Sequence, residues 1–401
     1  MIKRILSLLL AVLLGVAVLP AQAEDDYQAT LHFMTAASLY DLYGGTLEYR
    51  DIDFTSLPRL DSIGELVAFM GKCRDYLARQ VPIRLTSNIS EAMISEALGY
   101  FDWESQLLQY NHDILGDAHV LITMQYFPGA RIAELHRTGD TAQLSGAERT
   151  AYQLAMAFFN TEYPWRASAI ERERSIFDFI RRSATYWTDN GEYPGSYNNF
   201  RTAVGVLVDG KANCSGFADA FYMLCKMAGF SVDKVTGELS GGGHVWNTIE
   251  IDGRWYMVDA TPSSAEDDPA IRYCYFNAGQ RLMAQTHTWT DMALRYPIAQ
   301  ELDSAYAYGN AAFVGYYRVA DPDAIEQVLA EQSAGQGSET YYFYVESQVQ
   351  PTNAYLGALS DGYAERMRSR GIHLPYGVRV QMGTYTLGSV SFLLVELGLD
   401  G

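Results

Sequence analysis

Lysine, cysteine and long apolar runs are all scarce in this chain, and each shortage excludes something. Lysine stands only at Lys3, Lys72, Lys211, Lys226 and Lys234, and Lys plus Arg total 29 against 48 Asp plus Glu, a formal charge of −19. A chain that acidic repels phosphate backbones and anionic lipid surfaces, which argues against nucleic-acid binding. The four cysteines, Cys73, Cys214, Cys225 and Cys274, are irregularly spaced and form no disulfide framework. If Cys214 is a free nucleophile, an odd three remain, so at most one bridge or three buried thiols are expected. There is no H-E-x-x-H, no C-x-x-C and no phosphate-cradling glycine loop ahead of a helix. After residue 23 no stretch of 18 consecutive apolar residues occurs, so no membrane span is expected there. Apolar residues nevertheless make up 48% of the 401 positions, and 29 are Tyr. That is enough for two or three domains with real cores.

The N-terminus has the order of a secretory signal. Lys3 and Arg4 precede an apolar run from Ile5 to Leu19, and Pro20-Ala21-Gln22-Ala23 offers a small-residue cleavage site before Glu24-Asp25-Asp26. Cleavage after Ala23 would remove two positive charges and leave 27 − 48 = −21. An uncleaved anchor is the alternative. The expected location is secreted, periplasmic or cell-surface, with no membrane span after cleavage.

Periodicity divides the rest. Leu60 to Arg79 reads as an amphipathic helix, Val81 to Leu85 as a strand and Ser90 to Leu108 as a helix. His119 to Tyr126 and Ala130 to Leu135 read as strands around a Pro128-Gly129 turn. Near the other end Asp321 to Gln332 is helical, Thr340 to Val345 a strand, Thr352 to Arg370 a helix, and Gly377 to Met382 and Ser389 to Leu397 strands. Both ends thus share an α-β-α-β-β order, by duplication or by coincidence. Between them Ser145 to Phe159 and Trp165 to Tyr186 read as helices. The expected organisation is a signal peptide (1–23), an N-terminal α+β domain (24–140), a core (141–305) and a C-terminal α+β domain (306–401).

Chemistry concentrates in Arg201 to Ser264. Cys214 stands where a loop becomes a helix. Phe217, Phe221, Leu224, Cys225 and Ala228 repeat at helical spacing, and Gly229 ends the element. A thiol at a helix N-terminus meets free N–H groups and the positive end of the helix dipole, which favours the nucleophilic thiolate. A buried, inert cysteine is the alternative. Downstream, His244 to Ile251 and Arg254 to Ala260 read as strands joined by Asp252-Gly253, a strong two-residue hairpin signal. That turn places Ile251 opposite Arg254, and so Trp246 opposite Asp259. His244 and Asp259 then share a face as diagonal neighbours, about 7–8 Å apart by Cα. Such a carboxylate would orient the imidazole.

These residues resemble the transglutaminase-like superfamily, which has a papain-like cysteine-enzyme core. The resemblance rests on G-K-x-x-C-x-G-x-A (Gly210, Lys211, Cys214, Gly216, Ala218), A-G-F (Ala228 to Phe230), H-x-W-N (His244, Trp246, Asn247) and D-G-x-W-Y-x-V-D-x-T (Asp252 to Thr261). Later pieces, Tyr275-Phe276-Asn277-x-Gly279 and His287-x-Trp289, resemble segments C-terminal to the core in many bacterial members. The likeness covers roughly Ser145 to Ala299. It implies an α+β fold in which a helix bearing the cysteine packs on an antiparallel sheet bearing His and Asp. It also implies the roles of nucleophile (Cys214), base (His244) and orienting acid (Asp259). Many members carry Gly-Val before the cysteine, where this chain has Ala212-Asn213.

The implied chemistry is acyl transfer from protein or peptide amides through a Cys214 thioester, by a cysteine peptidase or amidase or by a transglutaminase. The backbone N–H of Cys214 is one oxyanion donor candidate. Trp187, Tyr197 and Asn213 are candidates for a second, with Trp246 as a further cleft residue. His287 and Trp289 read as a packed core pair, with cleft lining as the alternative. Glu266-Asp267-Asp268 lacks the ligand spacing of a Ca²⁺ loop and reads as a solvated acidic loop. No cofactor and no metal is expected. The partner is a protein or peptide substrate, cell-wall material included. Two rival readings stand: a non-catalytic surface-binding or wall-assembly protein on the same fold, and terminal domains that bind while the core processes.

Overall fold

The structure is a computed structural model. It describes residues 50, 52–57, 59–75, 80–100, 105–112, 116–188, 195, 197–262, 273, 275–290, 296–300, 316–319, 324–325, 327, 341–345, 353–369, 371, 378–387 and 390–399. The chain divides into two compact units, residues 1–143 with 290–295, and residues 144–289 with 296–401.

In the first unit, β1 (Arg59–Leu60), α1 (Ile63–Asp75), β2 (Gln80–Leu85), α2 (Glu91–Gly99), β3 (Ser105–His112), β4 (Ala118–Met124) and α3 (Pro128–Thr138) follow in order. The sheet runs β1-β2-β4-β3, with β1 parallel to β2 and the other pairs antiparallel. Leu66, Met70, Ile83, Leu85, Ile94 and Val120 are among its fully buried apolar side chains. Asp117, buried at the start of β4, accepts from Arg59 (2.7 and 2.8 Å) and Arg84 (2.9 Å) and so pairs both cations.

Two expectations are corrected here. The helix read to Leu108 ends at Gly99, and residues 105–112 form an edge strand on β4. Pairing along a neighbouring strand overrides the helical spacing there. Ala130 to Leu135 is not a strand but the middle of α3. Pro128 occupies its first turn, where a fixed φ and a missing N–H start a helix, and Gly139 (φ 79°) ends it.

The second unit opens with α4 (Gly146–Thr161) and α5 (Ala169–Ser183), each started by a reciprocal capping box, Ser145 with Glu148 and Ser168 with Glu171. The helix read from Trp165 thus begins only after Ser168. Then come β5 (Thr185–Tyr186), β6 (Lys211–Ala212), α6 (Cys214–Met227), β7 (Val232–Leu239), β8 (Gly242–Ile251), β9 (Arg254–Val258), α7 (Gln280–Met283) and β10 (His287–Thr288). The central sheet, β10-β7-β8-β9, is antiparallel throughout, and α6 packs on β7 and β8. Phe177, Phe217, Phe221, Trp246, Tyr256 and Phe276 are fully buried in this core. Farther along lie β11 (Tyr316–Val319), β12 (Tyr341–Val345), α8 (Asn353–Ser369), β13 (Val378–Leu387) and β14 (Val390–Leu399). Their sheet runs β11-β12-β14-β13, with the first pair parallel and the others antiparallel. It repeats the connectivity of the first unit's sheet. The architecture is α+β. Among the described residues no helix is long and apolar enough to cross a membrane.

One buried charge in this core has a testable consequence. Glu173 on α5 is fully buried and accepts from Asn277 Nδ2 at 2.8 Å. Burial pushes its carboxyl up from 4.5 to about 8, against the smaller pull of Asn277. A folded value above the unfolded one gives a contribution to stability that is full below about 4.5 and is lost as pH rises through about 8. The slope between these limits is about 1.4 kcal/mol per pH unit. In thermal denaturation, Glu173→Gln is therefore expected to gain stability relative to wild type as pH is raised through that window. Parallel curves for the two proteins would refute the neutral carboxyl.

Candidate active site

Asn213 starts α6. Its side chain accepts from Gly216 N–H at 3.3 Å and its carbonyl from Phe217 N–H at 3.1 Å. Cys214 is consequently the first helical residue, buried, with its backbone N–H at the positive end of the helix. Gly216 lets this end approach the preceding loop. A Cβ there would lie 2.6 Å from the Phe200 carbonyl oxygen and 2.7 Å from Ala212 Cβ. Asn247 on β8 ties the helix to the sheet, donating to the Ala218 carbonyl at 3.1 Å and the Asp233 carbonyl at 3.2 Å.

The hairpin supplies the rest. Asp252 (φ 48°) and Gly253 (φ 80°) both take positive φ, as a type I′ turn requires. The register runs from Ile251 opposite Arg254 to Asn247 opposite Val258, one residue short of Trp246 and Asp259. His244 Nε2 lies 2.8 Å from Asp259 Oδ2, and both residues are buried. Cys214 adds to the electrostatic support of a proton on this ring. Burial opposes a charge on His244. The Asp259 carboxylate, its hydrogen bond and Cys214 together outweigh that and raise the imidazolium's value from 6.5 to about 10. Burial likewise opposes the Asp259 anion. The charge and hydrogen bond of His244, with a second hydrogen bond from His287, hold it well below the usual carboxylate range. Thr261 N–H donates to its other oxygen at 2.9 Å.

The remaining candidates separate. Asn213 caps the helix through its Oδ1, an acceptor. Trp187 is buried, its ring 4.7 Å from that of Phe200, with its backbone N–H on the Ala212 carbonyl. Trp246 is fully buried beneath His244, with ring centroids 6.1 Å apart, so it packs behind the site and does not line an open cleft. Gly237 on the neighbouring strand makes room for it: a Cβ there would lie 2.6 Å from the indole and 2.2 Å from the Thr288 carbonyl. The side chain of Tyr197, Cys274 and the acidic run 266–268 lie outside the described residues. Cys73, Cys214 and Cys225 are free thiols.

Two further residues stand at the site: Tyr186, which the sequence does not single out, and His287, read there as part of a packed core pair with cleft lining as the alternative. Tyr186, paired in parallel β5–β6 register with Ala212, has a 43%-exposed ring whose hydroxyl is electrostatically coupled to Cys214 and Asp259. A two-residue strand carries no periodic signal. His287 lies not merely in packing but with Nε2 3.4 Å from Asp259 Oδ2. His244, Asp259 and His287 offer nitrogen and oxygen atoms within 4.8 Å of one another. All three are buried and direct these atoms at each other, an arrangement satisfied by shared protons.

Residues 160–260, which hold Cys214, His244 and Asp259, match the transglutaminase-like superfamily. This stretch of the chain is a transglutaminase-like domain. The chain is 34% identical over 109 residues to the mouse kyphoscoliosis peptidase, a match covering 23% of this chain and 16% of that protein. The human kyphoscoliosis peptidase is 34% identical over 68 residues, covering 14% of this chain and 10% of that protein. The chain thus spans under a fifth of the length of these relatives. A solved structure described as a TGase is similar at a TM-score of 0.28 and 13% identity, over 64% of this chain and 70% of that one.

Close packing at the cysteine is open to test. Gly216→Ala is expected to lower stability by about 1–3 kcal/mol and to slow alkylation of Cys214, because Phe200 and Ala212 must be pushed away. Unchanged melting temperature together with an unchanged labelling rate would show that the helix end tolerates the methyl group.

Proposed function

We propose that the protein is an exported thiol-dependent enzyme that cleaves or transfers the acyl group of protein or peptide amides through Cys214. The observation that carries this is the buried His244, held by Asp259 at 2.8 Å and electrostatically coupled to the helix-start thiol of Cys214. The thiolate attacks the amide carbonyl carbon, forming a C–S bond and an oxyanion beside the Cys214 backbone N–H. The C–N bond then breaks, and the amine leaves with the proton from His244. The resulting thioester is opened by water or an amine, whose proton returns to His244 as the C–S bond breaks. Asp259 fixes the ring throughout.

Water is the acceptor we favour, which makes the enzyme a cysteine peptidase or amidase. The similarity of part of this chain to relatives named peptidases supports hydrolysis over amine transfer. The signal-like segment 1–23 supports action outside the cytoplasm, on secreted, periplasmic or cell-surface proteins. The intact Cys-His-Asp set weighs against a purely binding role.

Limiting iodoacetamide on the mature protein, read by peptide mass spectrometry across pH, tests the reading. Cys214 is expected to label faster than the buried thiols Cys73 and Cys225. His244→Ala should slow its labelling at least tenfold. Labelling no faster than that of the other two, and identical in the variant, would overturn the proposal. With an amide substrate in hand, the alkaline limb of turnover should fall near 10, where His244 loses the proton it donates.

A further inference from the structure

Asp259 has more partners than an imidazole–carboxylate pair requires. Its Oδ2 faces two rings, His244 Nε2 at 2.8 Å and His287 Nε2 at 3.4 Å. An ionised carboxylate only accepts hydrogen bonds, so both Nε2 atoms carry the proton. Behind His287 the chain continues: its Nδ1 lies 3.0 Å from Thr286 Oγ1, and that oxygen lies 2.8 Å from the Tyr275 hydroxyl. With Nε2 as the donor, Nδ1 accepts from the Thr286 hydroxyl, whose oxygen accepts from Tyr275. Every proton in the row points toward Asp259.

The fold builds this row into the sheet. β10 lies along β7, with His287 opposite Leu239 and Thr288 opposite Glu238. The close passage is possible because Gly237 lacks a side chain where the Thr288 carbonyl crosses it. The rings of Tyr275 and Trp246 pack edge-on against His287, at 4.8 and 4.9 Å. The charged and titratable groups around it are Asp259, His244 (ring centroid 5.5 Å away), Tyr275 through Thr286, and exposed Glu238 on β7. His287 is 1% exposed, so it reaches neither solvent nor substrate.

We propose that His287 is a positioning residue: its Nε2–H, backed by Thr286 and Tyr275, holds Asp259 Oδ2 in the orientation that faces His244. This inference rests on the thiol acyl-transfer reading of Cys214, His244 and Asp259. Without the second donor the buried carboxylate is less stable as an anion and takes up a proton at higher pH. The imidazolium then loses its counter-charge sooner, and the acid limb of Cys214 reactivity moves upward.

The test compares the mature full chain as wild type, His287→Leu, which removes the donor, and His287→Gln, which keeps an N–H near the same place. The acid limb of iodoacetamide labelling at Cys214 is expected to rise by about one pH unit in His287→Leu, a roughly tenfold loss of rate on the limb. His287→Gln should restore most of it, and both variants should melt at similar temperatures. An unmoved limb in His287→Leu, or equal shifts in both variants, would overturn the proposal and leave His287 a packing residue. If His287→Leu does not fold, Thr286→Val removes the backing hydroxyl and leaves both rings in place. Its limb is expected to move the same way by a smaller amount, and an unmoved limb there counts against the proposal. A second readout is independent of reactivity: ¹⁵N-histidine spectra of Cys214→Ala. A protonated Nε2 on His287 is expected, and a bare Nε2 would overturn the inference. An unreactive Cys214 in a wild type whose His287 Nε2 is protonated would instead sink the acyl-transfer reading.

Discussion

A buried carboxylate is the constraint on which the site depends. Asp259 is 4% exposed, and an ion in such a place is unstable unless its oxygens are occupied by donors. The donors come from three places in the chain: His244 from β8, His287 from β10, and the Thr261 backbone just beyond β9. The antiparallel sheet β10-β7-β8-β9 brings these segments together, although β10 comes nearly thirty residues after β9 in the chain. Trp246 closes the array from below, and Gly237 vacates the space that the indole and the Thr288 carbonyl occupy. The same carboxylate that demands these contacts is what keeps His244 charged.

The cysteine is delivered by separate means. Its helix is fixed by a cap, by a glycine and by buried polar ties that owe nothing to Asp259. Asn247 joins α6 to β8 and β7 through two carbonyls. Asp219, fully buried on α6, accepts from Ala203 N–H at 2.9 Å and faces the Lys234 ammonium at 3.6 Å. Removing either partner of that pair would leave an uncompensated buried charge, so it specifies where the helix sits more than it stabilises. Cys214 and the imidazole–carboxylate pair therefore meet because the helix that starts at Cys214 is tied through Asn247 to β8, the strand that carries His244.

How far the sequence discloses this depends on how local each determinant is. The His244–Asp259 pairing is legible because a two-residue turn sets the hairpin register and a strand alternates with period two. The position of Cys214 is legible because capping and glycine termination are local signals. His287 and Tyr186 are not legible as site residues. Each enters through a two-residue strand whose partner is distant in sequence, β7 for one and β6 for the other, and such pairing leaves no pattern. His287 can be noticed as H-x-W, but its donor role depends on where Asp259 Oδ2 points, which only tertiary packing decides. The strand expected at 130–135 fails for a different cause. Pro128-Gly129 is ambiguous between a turn and a helix start, and the buried run Gly129, Ala130, Ile132 and Ala133 decides for the helix only once a core lies against it.

The terminal sheets show the reverse case, in which topology is clearer than sequence. Strand order and direction agree between them, parallel in the first pair and antiparallel in the next two, with a helix between the second and third strands of each. The α-β-α-β-β order is legible near the C-terminus, whereas at the other end the strand at 105–112 reads as helix and the helix at 128–138 as strand, and the short leading strands, β1 and β11, are legible at neither. Two and four residues long, they are too short to alternate convincingly. Agreement in strand order, direction and helix placement demands far more coincidence than agreement in element order alone. It favours duplication of one small module over chance, with the residues since diverged and the connectivity kept. Connectivity outlasts sequence because a sheet tolerates many apolar substitutions on its buried face, whereas a changed strand order would require every hydrogen-bonded ladder to be rebuilt.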